Sequence, residues 1–262
     1  MKIIVCMKQV PDTTEVKLDP VTNNLVREGL PSIINPDDKA GLEAALRIRE
    51  SVGGSVTVVS MGPPQAEVAL REALAMGADE AVLITDRAFG GADTWATSST
   101  IAAALKKIGF DLIVAGRQAI DGDTAQVGPQ IAEHLGLPQV SYVESVESVT
   151  DHSIVLRRQF EDRFHIIEVK LPCVITALSE LAVPRYMSVS GVFDAYKKEV
   201  VRMTLADLEG YLDKANIGLA GSPTRVKASF TKQPKGAGEK FEGSDEEAVR
   251  LIVSRLAEKF MI

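Results

Sequence analysis

From Ile3 to Leu135 the chain alternates short apolar runs of strand length with longer stretches of helical period, and few architectures accept that rhythm. Ile3–Met7 precedes a helical stretch near Asp37–Glu50, and Ser55–Met61 precedes one near Gln65–Met76. Ala81–Thr85 is followed by a helical stretch near Asp93–Lys107, and Leu112–Ala115 by one near Thr124–Leu135. A strand that returns parallel to its predecessor needs a crossover packed on the sheet, and strand twist makes that crossover right-handed. Four strand-then-helix units in succession therefore predict an α/β fold, a parallel sheet with helices on both faces. Ligands of such open sheets bind beyond the carboxyl ends of the strands, so the loops leaving those ends are where function is sought.

The rest of the chain departs from this rhythm. Between the first strand and first helix lies an excursion, Gln9–Ile34, in which Val16, Leu18 and Leu25 alternate around Asp19–Asn24 in the pattern of a small hairpin. After Gly136 the apolar period changes to two in Val140–Val149, Ser153–Phe160 and Phe164–Val169, predicting added strands that extend the sheet or form a second layer. Leu171–Leu178 is a last buried run. From about Gly191 the chain turns charged and loop-rich, passes a Pro/Gly/Lys stretch at Lys232–Gly243, and ends in a helical pattern over Asp245–Lys259. The expected organisation is an α/β domain over 1–190 and an arm over 191–262, too poor in apolar residues for its own core, and either mobile or clamped on another subunit.

Charge narrows the function classes. Lys and Arg number 29 against 36 Asp and Glu, a net charge of −7, which argues against general nucleic-acid binding because that needs a cationic face. No apolar run approaches the roughly 18 residues of a membrane span. The start, MKIIVCMK, runs directly into a strand pattern, so neither a signal peptide nor a transit segment is expected and a cytoplasmic location is. Cys6 and Cys173 sit in apolar strand-like contexts and read as buried free thiols. The three histidines are scattered, and no metal set, catalytic triad or paired-carboxylate site is visible.

Three loops carry the functional signal. In Ile34-Asn35-Pro36-Asp37-Asp38, Asn35 suits a helix N-cap, Pro36 the first helical position, and the two acids the positive end of the helix dipole. The same loop reaches the sheet's carboxyl edge, where Asn35 can hydrogen-bond an adenine or ribose. In Gly116-Arg117-Gln118-Ala119-Ile120-Asp121-Gly122-Asp123-Thr124-Ala125-Gln126-Val127-Gly128, glycines at 116, 122 and 128 permit close backbone approach, and Asp123 or Thr124 can cap the next helix, whose free N–H groups favour an anion. That pattern reads as a phosphate cradle, with Arg117 offsetting charge or forming a surface ion pair; it is neither GxGxxG nor a P-loop. Asp121 and Asp123 repel phosphate unless they turn back onto backbone donors. In Thr85–Ser98, Gly90 and Gly91 precede a capping Asp93 or Thr94 and the single Trp, Trp95. A further segment, Ala177–Tyr186, is apolar yet broken by Glu180, Pro184 and Arg185, and reads either as a strand exit packed on the core or as a protruding docking loop.

These residues resemble a known family. MKIIVCMKQVPDT, INPDDKAGLEAAL, VVSMGPPQAEVALREALAMGADEAVLI, AGRQAIDGDTAQVGPQIAEHLGLP and ALSELAVPRYMS are similar to the small (β) subunit of electron-transfer flavoproteins, over essentially the whole chain. The resemblance implies a Rossmann-like fold of the adenine-nucleotide α-hydrolase type, paired in a heterodimer with a larger α subunit carrying FAD. It implies a nucleotide site lined by Cys6, by Asn35, Pro36, Asp37 and Asp38, by Met61, and by Arg117 to Gly128. It also implies that Leu181 is the apolar anchor for acyl-CoA dehydrogenases and that the tail after Gly191 holds the α subunit. TDRAFGGADTWATS resembles the electron-bifurcating members, in which the small subunit holds FAD rather than a structural AMP. Phe89, Gly90, Gly91, Asp93, Thr94 and Thr97 would then face the flavin. The expected function is to accept hydride from NADH and divide the electrons between ferredoxin or flavodoxin and, through the α-subunit FAD, an acyl-CoA dehydrogenase. The alternative is a non-bifurcating subunit with AMP and no redox cofactor of its own. In either case no side-chain catalyst is expected, because the cofactor carries the chemistry.

Overall fold

The computed structural model describes residues 1–12, 31–227, 236, 238 and 240–261. The strand-helix alternation resolves as β1 (Lys2–Cys6), α1 (Pro36–Val52), β4 (Ser55–Met61), α2 (Glu67–Met76), β5 (Glu80–Ile84), α3 (Thr94–Ile108), β6 (Leu112–Gly116) and α4 (Val127–Leu135). Two three-residue strands, β2 (Gln9–Pro11) and β3 (Ser32–Ile34), pair antiparallel within the excursion after β1. The hairpin expected around Asp19–Asn24 lies outside the described residues.

Among the described residues, nine strands form one sheet in the order β11-β5-β4-β1-β6-β10-β7-β8-β9, with β7 at Gln139–Val149, β8 at Ser153–Phe160, β9 at Arg163–Lys170, β10 at Cys173–Ala177 and β11 at Val200–Met203. The seven strands from β11 to β7 run parallel, and β8 and β9 are added antiparallel, so the period-two segments extend the sheet and form no second layer. Two apolar clusters cover its faces. Leu42 and Leu46 of α1 and Leu70 and Leu74 of α2 pack with Val5 and Val114 on one face. Ile101 and Leu105 of α3 and Ile131 of α4 pack with Ile4 and Ile113 on the other. This is an α/β fold with helices on both faces, as the alternation requires. No described helix is long and apolar enough to cross a membrane.

The division expected at residue 190 falls elsewhere. The first compact unit runs Met1–Arg225 and the second Val226–Ile262. The reason is local: α5 (Val189–Ala195) packs on α2, and β11 adds to the sheet edge beside β5, pairing Val200 with Ala81 and Met203 with Ile84. A four-residue strand between charged stretches gives too short a period to register in the sequence. In the second unit, α6 (Asp245–Glu258) starts with a capping box between Ser244 and Glu247 and exposes Val249, Ile252 and Val253.

Glycine at 128 answers to packing. A Cβ there would lie 2.7 Å from Thr176 Cγ2 of β10, so α4 approaches the sheet only because this position carries no side chain. Gly128→Ala is expected to lower stability by about 1–3 kcal/mol through overpacking, measured as a shift of the urea midpoint; an unchanged midpoint would contradict this close approach.

Candidate functional site

Strand order reverses beside β1: the chain steps from β1 to β4 and β5 on one side, then returns to place β6 on the other. Such a switch point leaves a crevice at the carboxyl edge, because the two flanking loops diverge over opposite faces. A cleft of about 1100 Å³ occupies that edge. Its apolar walls come from Met7, Val59, Met61, Ile84, Phe89, Ile101, Ala115 and Ile131. Polar and charged groups lining it include Lys8, Asp38, Arg87, Asp93, Thr94, Thr97, Arg117 and Gln118.

Most of the residues singled out in the sequence meet here. Cys6, Asp38, Met61, Phe89, Gly90, Gly91, Asp93, Thr94, Thr97, Arg117, Gln118, Ala119 and Gly122 to Gly128 line the one cleft. Asn35, Pro36, Asp37, Ile120 and Asp121 do not. Asn35, fully buried, has no side-chain cap bond; its Nδ2 donates to the Gln118 carbonyl at 2.9 Å and its Oδ1 accepts from the Ile120 N–H at 3.1 Å. Its amide thus staples the 116–128 loop from behind, and it also hydrogen-bonds the Asp38 carboxylate, so it is turned into the structure and not into the cleft. Asp37 turns to Arg117, whose Nε lies 3.5 Å from its Oδ2. Burial raises the Asp37 carboxyl while the Arg117 charge lowers it, and the net direction is upward. Ile120 faces solvent at 54 % exposure.

The carboxylates of the cradle are accommodated by side-chain partners. Lys8 Nζ meets Asp121 Oδ1 at 2.6 Å, and Asp123 accepts from the Gln118 side-chain amide. The helix expected from Thr124 begins at Val127, with Gln126 at the N-cap, so neither Asp123 nor Thr124 caps it. Asp123 and Ala125 instead adopt left-handed backbone, φ 55° and 52°, a conformation that costs of order 1 kcal/mol or more for a residue with a Cβ. No side chain caps α4; its first turn presents the N–H groups of Val127 and Gly128, and Pro129 has none. An uncapped helix start in a cleft favours an anion.

On the opposite wall, Asp93 caps α3 by accepting from the Ala96 N–H at 3.0 Å and also accepts from the Thr224 N–H at 2.9 Å. Burial alone would raise its carboxyl; these N–H bonds outweigh burial and hold it below the usual range. Thr94 Oγ1 donates to Gln126 Oε1 at 2.9 Å, tying the two walls together. Gly91, at φ 70°, is pressed by Leu219, whose Cβ lies 3.1 Å from where its own would be, and the Leu219 N–H donates to the Gly90 carbonyl. The glycine pair is therefore shaped at least in part by the segment after β11.

At the floor, Asp38 Oδ2 accepts from the Lys8 N–H at 2.8 Å and its Oδ1 from the Gly116 N–H at 2.9 Å. Burial pushes this carboxyl up to about 7, against the lowering effect of the hydrogen bonds. Burial, with the Asp38 charge adding to it, pushes the neighbouring Cys6 thiol up to about 12, so Cys6 is an inert wall group. Sequence reasoning missed Lys8, Met7, the Gly62-Pro63-Pro64 turn and Asp86-Arg87; a lysine at a strand exit carries no motif. Among the described residues no His, Cys, Asp and Glu cluster could hold a metal.

Leu181 ends a short turn, Ser179–Leu181, and lies half-buried against the core, while Val183 and Tyr186 beyond it are 81 % and 97 % exposed. The loop is both strand exit and protrusion. Arg185 fixes it to α1, its Nε donating to the buried Glu43 at 2.8 Å and its Nη1 to Glu50 at 2.6 Å; Arg47 Nη2 donates to the Val183 carbonyl at 3.3 Å.

A mostly parallel sheet with helices on both faces and a cleft at its switch point defines an open-sheet α/β protein with its crevice at the carboxyl edge. Residues 22–208 match the family described as electron transfer flavoprotein domain. The chain is 60% identical over 262 residues to the electron transfer flavoprotein subunit beta of Clostridium acetobutylicum, covering all of both chains. It is 54% identical over 265 residues to the caffeyl-CoA reductase-Etf complex subunit CarD of Acetobacterium woodii. It is 46% identical over 269 residues to the acryloyl-CoA reductase electron transfer subunit gamma of Anaerotignum propionicum, again with full coverage of both chains in each pair. The chain belongs to the electron transfer flavoprotein family, on its β-subunit side.

Asn35→Ala leaves the Gln118 carbonyl and Ile120 N–H without their buried partner, at a cost of about 1–3 kcal/mol. Faster hydrogen exchange and proteolysis across residues 117–124 are expected, and unchanged exchange there would contradict the staple.

Proposed function

We propose that the cleft holds FAD and that the chain is the small subunit of a heterodimeric, cytoplasmic, NADH-oxidising flavoprotein of the electron-bifurcating type. The observation that carries this reading is the capacity of the cleft: about 1100 Å³ exceeds the roughly 300–1,000 Å³ of ordinary ligand pockets and leaves room beyond a mononucleotide. Similarity to subunits named for reductase complexes, in Acetobacterium woodii and Anaerotignum propionicum, points the same way.

The residues present fit such a group. The Val127 and Gly128 N–H groups and the left-handed loop before them suit a diphosphate, with Lys8, Arg87 and Arg117 nearby as cations. Met7, Val59, Met61, Ile84 and Phe89 offer apolar wall to flat rings and exclude water. FAD bound there would supply hydride acceptance from NADH and delivery of single electrons, one toward ferredoxin or flavodoxin and one, by way of the α-subunit FAD, toward an acyl-CoA dehydrogenase. The chain's own part is to bind, orient and enclose. No side chain acts as acid or base. The 178–187 loop, with Leu181 as anchor, meets the dehydrogenase, and the terminal segment with α6 meets the α subunit through the Val249, Ile252 and Val253 side.

A cofactor count on the copurified αβ pair tests this directly. Two flavins per pair, both bleached by NADH, are expected; one flavin with extractable AMP would replace it by the structural-AMP reading. Leu181→Ala should weaken dehydrogenase binding by about 2 kcal/mol, as for a docking hot spot, while NADH-driven bleaching persists. Unchanged partner affinity in a titration would remove Leu181 from the contact.

A further inference from the structure

We propose that Asp38 is a positioning residue for the cleft: its carboxylate bridges the exits of β1 and β6 across the switch point, and the cleft grips its nucleotide firmly only while that carboxylate is ionised. This rests on the nucleotide reading of the cleft.

The geometry is that of a clasp. β1 and β6 pair in parallel from Ile3 with Leu112 to Cys6 with Ala115, and their ladder ends there. Just beyond, the Lys8 N–H on one side and the Gly116 N–H on the other converge on the two oxygens of Asp38, at 2.8 and 2.9 Å. Asp38 is 6 % exposed, and a Cβ at position 116 would stand 2.1 Å from its Oδ1, so the β6 exit is built around this carboxylate. Lys8 leads into the first loop of the cleft and Gly116 into the 116–128 loop. Asp38 sets their separation at the strand exits, and the Lys8–Asp121 ion pair and the Asn35 bonds to Lys8, Gln118 and Ile120 tie the loops beyond.

The surroundings make the clasp sensitive to a proton. The charged and titratable groups around it are the Cys6 thiol and Lys8 from the β1 side, Asp37 on α1, and Arg117 after β6. The Lys8 ammonium is engaged by Asp121 and the Arg117 guanidinium lies beside Asp37. Protonation turns one acceptor oxygen into an O–H donor facing an N–H donor. The Asn35 side chain, which hydrogen-bonds the carboxylate while its Oδ1 accepts from the Ile120 N–H, must readjust with it. One strand exit therefore loses its charge-assisted bond to the carboxylate.

Burial places the Asp38 carboxyl at about 7, against 3.8 ordinarily. Because the folded pKa is raised, the folded chain binds the proton more readily than the unfolded chain in that window, and this group makes unfolding harder as pH falls through it. Nucleotide retention and global stability consequently respond to the same proton in opposite directions. A side chain that merely held the fold together would move both the same way. A carboxylate that acted only as a charge near phosphate would give the reverse for retention, since neutralising it would favour the anion.

The test follows release of FAD, and in a second arm AMP, from the purified αβ complex between about pH 8 and about pH 5.5, the window spanning the raised carboxyl, for the wild type and Asp38→Asn. Wild-type release should quicken about tenfold through a single-proton transition, the scale of one lost charge-assisted hydrogen bond. Asp38→Asn should release quickly, without that transition. Hydrogen exchange in peptides spanning Lys8 and Gly116, corrected for intrinsic rates, should rise over the same pH range in the wild type, and this decides the matter if the variant does not fold. Release that is flat or slower at low pH, or a variant that retains its nucleotide as the wild type does, overturns the role of Asp38 alone. Failure of the wild type to retain either nucleotide at any pH overturns the nucleotide reading, and this role with it.

Discussion

One buried carboxylate stands where the order of the sheet reverses, and much of the cleft's shape depends on it. Parallel strands are held to each other by their ladder only as far as it runs; past Cys6 and Ala115 the two chains turn to other partners, β1 to Val59 and Asn35 and β6 to Ala177. Asp38 receives both exits, and glycine at 116 follows from the closeness of that approach. The same helix that carries it begins with Asn35, which fixes the backbone of the longer loop, and further along presents Glu43 and Glu50 to Arg185. Helix α1 thus connects the floor of the cleft to an outward loop through part-buried hydrogen bonds at Asn35 and Glu43 and an exposed one at Glu50. Burial opposes ionisation of Glu43, but bonds from Arg185 and Arg47 outweigh it and keep the carboxyl low. That end of the connection stays charged at a pH where Asp38 does not.

The charge arrangement suits a site that takes an anion without being a basic patch. The chain carries a net −7, yet the carboxylates in and beside the cleft are turned to partners: Asp93 to two backbone N–H groups and Asp123 to Gln118 within it, Asp121 to Lys8 and Asp37 to Arg117 beside it. What remains facing the cleft is the positive end of an uncapped helix, preceded by two non-glycine residues in left-handed backbone. Fixed backbone dipoles of this kind need little rearrangement when a phosphate arrives.

Alternating strand and helix periods made the central sheet legible, because each unit obeys a local period and the crossovers have one hand. Strand β11 was not legible: four residues carry no period, and their place beside β5 depends on α5 packing on α2. Within the cleft, the loops were legible from their position after strands, but several roles were not. Asn35 reads as a cap because a cap is the local use of asparagine before a helix, whereas its partners lie 83 and 85 residues away. Gly128 and Gly91 read as room for a ligand, and the structure sets Thr176 and Leu219 against them. Local chemistry is visible in sequence; contacts between distant segments reassign it.

The most direct test of the nucleotide reading is a ligand-bound structure of the chain with its larger subunit. Diphosphate oxygens within hydrogen-bonding distance of the Val127 and Gly128 N–H groups, with a flavin ring against the Met61–Phe89 side, are the expected result. A nucleotide bound on another surface, with residues 122–128 untouched, would contradict it.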